Sequence, residues 1–205
     1  MYSLTESQFY VEAEPILRNI FVKDDPFGRT FSTKISGRII IYPCQDEIER
    51  PLIDAIIAAA ANLGDTGCYM WAIYPKLTNF CHCYVPLSEF LEGYAGPVDS
   101  KQLIGYKLDM NPYFLDGFIY SAQGKWGIRK SHEQYGLLGG PPEFIEEIRK
   151  TVPDLDDQVY GFLERLKQFK ALSPQAMTLN WLPALLGHIY GSEAAEKMLQ
   201  ETGLP

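Results

Sequence analysis

Between Phe118 and Lys150 the chain reads FIYSAQGKWGIRKSHEQYGLLGGPPEFIEEIRK, and this stretch restricts the fold more than any other. Three runs of strand-forming residues, Phe118–Ser121, Trp126–Lys130 and Tyr135–Leu138, are separated by Gln123-Gly124 and by Ser131-His132-Glu133. Aromatic and β-branched runs joined by turns this short predict consecutive antiparallel strands. Gly139-Gly140 then leads into a helix predicted over Pro141–Thr151, with Pro141 near its first position and Glu143 placed favourably against the helix dipole. Phe144, Ile145, Ile148 and Val152 supply its buried face, and Pro153 stops it. A meander feeding a helix is the frame of an α+β domain.

The rest of the chain extends that frame. Thr5 and Gln8 form a capping box for a short helix that Pro15 should end near Glu14. The run Lys23 to Gly28 is loop chemistry, and Thr30–Ile35 and Arg38–Tyr42 flank Ser36-Gly37 as a predicted hairpin. Pro51 opens a helix whose apolar face is Leu52, Ile53, Ile56, Ile57 and Ala60, stopped at Asn62-Leu63-Gly64. Cys68–Tyr74 is almost continuously apolar, as a central strand would be, and Phe80–Val85 is its expected neighbour. Ser88–Leu91 is a helical turn, and Lys101–Leu108 a further strand. Beyond Asp154 the periodicity becomes helical: Val159, Phe162, Leu163, Leu166 and Phe169 form one stripe, Pro183 interrupts the next, and a last helix runs from Ser192 to Glu201 before Gly203. The expected architecture is α+β: an antiparallel sheet with packed helices over residues 1–153, followed by an all-helical C-terminal region over residues 154–205.

Charge limits the functions open to such a chain. Its 205 residues carry a net charge of −8, and residues 1–100 hold 7 Lys/Arg against 13 Asp/Glu. Nucleic-acid binding through phosphates needs a basic face, so that role is disfavoured. The N-terminus has neither a basic nor an apolar leader segment, and the longest apolar run, Ile53–Ala61, is broken by Asp54 and far short of a membrane span. A cytoplasmic protein is expected, with Cys44, Cys68, Cys81 and Cys83 reduced.

Few residues suggest chemistry. Cys81-His82-Cys83 is the place to look for a metal, but on a strand the two cysteines face one way and His82 the other. One face then lacks the four ligands of a structural zinc, so Cys81 and Cys83 are weak metal candidates and buried core cysteines are the commoner outcome. The same alternation keeps His82 from acting as base for either thiol. Gly139-Gly140 precedes a helix as an anion-binding turn would, yet Pro141 and Pro142 offer no N–H and Glu143 adds negative charge. No cofactor is implied. Lys125, Arg129 and Lys130 form a basic cluster beside Trp126, with Lys125 and Arg129 on an exposed strand face and Trp126 and Ile128 on the buried one. Asp46, Glu47 and Glu49 form an acidic cluster, and Lys125, Trp126 and Arg129 and these carboxylates are candidate interfaces.

The segment Ser121-x-x-Gly124-x-Trp126-Gly127, followed by Gly139-Gly140 and Phe144, resembles the strand-strand-helix region of bacterial immunity proteins of polymorphic toxin systems. That resemblance covers about a sixth of the chain and carries no catalytic residues. It implies a non-catalytic binding protein that neutralises a protein partner through an acidic, aromatic surface. The alternative is a small enzyme with a Cys/His or metal-dependent site in a cleft between the sheet and the helical region. Self-association through an apolar helix face around Trp181 and Leu185 stays open as well.

Overall fold

The computed structural model describes residues 1–44, 48–74, 82–90, 116–172 and 178–204. Among the described residues seven strands form one antiparallel sheet: β1 (Tyr2–Ser3), β2 (Gly37–Ile41), β3 (Gly67–Tyr74), β4 (His82–Pro86), β5 (Asp116–Ser121), β6 (Gly127–Lys130) and β7 (Gly136–Gly140), in the order β1-β4-β3-β5-β6-β7-β2. The meander predicted from Phe118 onward is its centre, strands β5, β6 and β7 lying side by side. The expected strand Lys101–Leu108 lies outside the described residues.

Both faces of the sheet are covered by helices. On one face α3 (Arg50–Asn62) packs beside α4 (Pro142–Thr151). They meet Ile39, Ile41, Cys68, Met70, Ile119, Ile128 and Leu138 in one buried cluster. The second cluster takes the alternate residues, Ile40, Tyr69, Phe118, Tyr120 and Leu137. Over it lie an N-terminal helix and the C-terminal helices α5 (Gln158–Leu172), α6 (Leu182–Tyr190) and α7 (Ser192–Thr202). Because successive strand side chains point to opposite faces, burial on both faces explains why these strands read as continuous apolar runs. The chain is therefore α+β, with no described helix long and apolar enough to cross a membrane.

Two local expectations change. The N-terminal helix does not stop before Pro15: α1 (Glu6–Gln8) passes through a π-helical turn (Phe9–Ala13) into α2 (Glu14–Ile20). The wide turn bonds the Glu14 N–H to the Phe9 carbonyl, and Pro15, which has no N–H to place, sits at the start of the following segment, where proline is tolerated. The Thr5–Gln8 capping box forms as the sequence predicts. The hairpin expected from Thr30–Ile35 and Arg38–Tyr42 does not form. Instead β2 pairs with β7, and Phe31 makes an isolated bridge to Phe21. Phe31 and Ile35 fill the space above Gly139, where an added Cβ would stand 2.6 Å from the Phe31 ring.

The outer edge of β2 is closed by side chains. The Tyr190 hydroxyl accepts the Ile40 N–H at 3.0 Å, and Gln158 Oε1 accepts the Tyr42 N–H at 3.0 Å. An open strand edge is a template for pairing with another chain, and these two contacts occupy two of its outward N–H donors.

Candidate functional site

The segment from Ser121 to Trp126 resolves into a structural node. The β5–β6 turn needs positive φ at Gly124 (+74°). It brings Ser121 and Trp126 onto Asp65, which follows α3. The Ser121 hydroxyl and the Trp126 Nε1–H both donate to the Asp65 carboxylate, at 2.8 and 2.7 Å. Asp65 is 5% exposed and Trp126 only 1%, with Trp126 stacked on Phe144 of α4. Lys125 Nζ donates to the Leu63 carbonyl at 2.5 Å, at the end of α3. The three donors tie the hairpin to α3, so Trp126 is a core anchor. Gly140 permits the same close packing: an added Cβ there would lie 2.6 Å from Phe144. Asp65 was invisible in the sequence, since one carboxylate after Gly64 reads as a turn residue.

Arg129 departs from the expected exposed face. It is 3% exposed and ion-paired to buried Asp116 on the neighbouring strand. Its Nε donates to the Asp24 carbonyl at 2.7 Å, and its guanidinium stands 4.8 Å over the Phe118 ring. The Tyr135 hydroxyl similarly donates to the Pro26 carbonyl at 2.9 Å. Arg129 and Tyr135 thus pin the loop around Asp24 to Pro26 onto the sheet. A guanidinium so enclosed is not offered to a partner. Asp46 and Glu47 lie outside the described residues, and Glu49 precedes α3 as an exposed residue with no side-chain capping bond.

Asp116 also accepts from His132 Nδ1 at 2.8 Å. Such a pair orients an imidazole as a catalytic carboxylate does. Here the half-exposed ring has Glu133 Oε1 as its Nε2 neighbour, at 3.6 Å, and among the described residues no hydroxyl or thiol contacts that nitrogen. The ring is the outer member of an Arg129–Asp116–His132 chain of contacts, and no nucleophile stands beside it among the described residues.

The strand alternation predicted around His82 is observed. Cys83 is buried in the α3 cluster, whereas His82 is enclosed on the other face between Phe9, at 3.8 Å between ring centroids, and Trp71, at 4.8 Å. Burial lowers the His82 pKa to about 3. Burial likewise raises the thiols, Cys44 to about 11 and Cys68 well above its ordinary value. Among the described residues no three His, Cys, Asp or Glu are grouped to hold a metal, and Cys81 lies outside them.

Exposed aromatic side chains lie along the β1–β4 edge. Tyr2 pairs with Tyr84 across the strands and stacks on it at 5.3 Å; Tyr84 in turn packs against Tyr69 at 5.6 Å. Beside them the π-helical turn exposes Tyr10 (54%) and Val11 (73%), and Tyr2 is 48% exposed. Glu6 and Glu12 are exposed on the same segment, and residues 2–17 contain no Lys or Arg. Comparison with family models, curated proteins and solved structures finds no match for this chain.

Proposed function

We propose that this protein is a non-catalytic, cytoplasmic binding protein that engages a basic protein partner through the Tyr2–Tyr10–Val11 surface, in the manner of an immunity protein that neutralises a toxin. The observation that carries this reading is the exposure of two tyrosines and a valine on a segment whose charged side chains are all acidic. Tyrosine supplies a rigid contact with a polar tip, suited to an interface centre. Glu6 and Glu12 favour a positively charged partner and raise its association rate. They also repel a second copy of the same surface, which weighs against a symmetric dimer here.

The test is affinity capture from the native cell with the wild-type chain and with Val11→Asp and Glu12→Lys. A basic protein retained by the wild type and lost with either variant is expected. Its association should weaken as salt is raised, and in the immunity form it should be toxic alone and harmless when coexpressed. A partner retained equally by all three chains, or one whose binding ignores salt, would sink the proposal.

A further inference from the structure

A cleft of about 590 Å³ opens on the C-terminal-helix side of β2, lined by Arg29, Arg38, Phe31, Ser32, His188 and Ser192 among others. Its size is that of a small-molecule site. Its charge runs against the rest of this acidic protein, because two guanidiniums converge there from different segments. Arg38 is held by three carbonyls: Nε donates to Ile35 at 2.7 Å, Nη1 to His188 at 2.7 Å and Nη2 to Ser32 at 3.2 Å. These contacts fix the fork without neutralising it. Burial is what lowers its pKa, with no carboxylate among the described residues offsetting the cost. Burial lowers the His188 pKa to about 4, and Arg38 and then Arg29 add to that lowering, so a second charge stands close by.

Donors outnumber acceptors around His188. Nε2 stands 3.1 Å from the Phe31 N–H, and Nδ1 stands 3.2 Å from Arg38 Nη1. A neutral imidazole has a single lone pair for hydrogen bonding and one N–H of its own. It therefore cannot accept from both, so one of the two donors has no acceptor on the ring. Ser192, at the start of the 11-residue helix α7, lines the same space, and no side chain caps that helix. Fixed donors, and two cations without a carboxylate partner among the described residues, line one open cleft and suit an oxyanion.

We propose that this cleft binds the phosphate group of a small-molecule ligand. A planar carboxylate is satisfied by one guanidinium fork. Donors arriving from Arg29, Arg38 and the His188 neighbourhood suit a tetrahedral dianion better. The site is independent of the aromatic surface and does not rest on the partner proposed for it.

The experiment is a titration of the full chain with inorganic phosphate, followed by amide and Arg Nε NMR and by calorimetry, with acetate and chloride as controls. Saturable shifts at Phe31, Arg38 and His188 are expected, with phosphate preferred over acetate. Arg29→Ala removes an exposed side chain, and it should weaken phosphate about tenfold, the loss of one charge-assisted contact. Arg29→Lys, which keeps the charge and loses the fork, should fall between the two and serves should the alanine variant not fold. Phosphate bound no better than acetate and chloride, shifts spread over the surface without saturation, or affinity unchanged by either substitution would overturn the assignment.

Discussion

His82 is a residue whose protonation the fold strongly opposes, and replacing it by phenylalanine isolates that opposition. The ring is enclosed between Phe9 and Trp71, and burial takes its pKa from 6.5 to about 3. The folded pKa is lowered, so the unfolded chain takes up the proton first. Stability is complete above pH ~6.5 and is lost as pH falls towards the folded value of about 3. Linkage between those two pKa values makes the wild type about 2.5 kcal/mol less stable near pH 4.5 than near pH 7 through this residue. His82→Phe keeps an aromatic ring between Phe9 and Trp71 and removes the titration. Urea unfolding followed by circular dichroism, across that pH range, gives the stability of each chain. Every other group is common to both chains, so its contribution cancels in the difference between chains. That difference should move by about 2.5 kcal/mol in favour of the variant as the solution is acidified. Parallel pH profiles would show that the His82 ring reaches water in the folded state, and the buried stack described here would be refuted.

Asp65→Ala should cost roughly 2–5 kcal/mol, because the Ser121 hydroxyl and Trp126 Nε1–H are left buried without an acceptor. Asp65→Asn, which keeps one acceptor oxygen, should recover part of that loss in the urea midpoint. Tyr190→Phe deletes the acceptor of the Ile40 N–H and should cost about 1–2 kcal/mol. Hydrogen exchange at the Ile40 amide should quicken; unchanged exchange would mean that Tyr190 does not close the β2 edge.

The sequence made strands easy to find and their partners hard. Phe118–Leu138 was legible because its turns are short, so neighbours in sequence are neighbours in the sheet. β2 was not, because its partner β7 lies about a hundred residues away and the Ser36-Gly37 pair mimics a hairpin turn. Which face each strand residue takes was hidden for the opposite reason: helices cover both faces, so Ile39, Ile40 and Ile41 are all apolar. The N-terminal aromatic surface was missed because Pro15 reads as a stop. A π-helical turn carries the helix onward and fixes which residues remain exposed. Asp65, and likewise Arg29, Arg38 and His188, acquire meaning only through contacts between distant segments. No local pattern encodes those contacts.

The two proposed binding surfaces share one face of the sheet but occupy its opposite margins, and that separation makes a prediction. Tyr84 on β4 and Arg38 on β2 are five strand spacings apart in the sheet order. At about 4.8 Å per spacing this is on the order of 24 Å. The Debye length in physiological salt is roughly 8 Å, so a charge change at one margin is almost fully screened at the other. Glu12→Lys should therefore abolish partner binding while leaving phosphate affinity at the Arg29–Arg38 cleft within about twofold of wild type. Lowering the ionic strength tenfold lengthens the Debye length to the separation itself. Under those conditions Glu12→Lys should strengthen phosphate binding slightly, because the acidic margin then opposes an incoming anion. A large effect at physiological salt would mean that the margins communicate through the intervening layer of α2 and the sheet rather than through the field. The two sites would then have to be treated as one linked system.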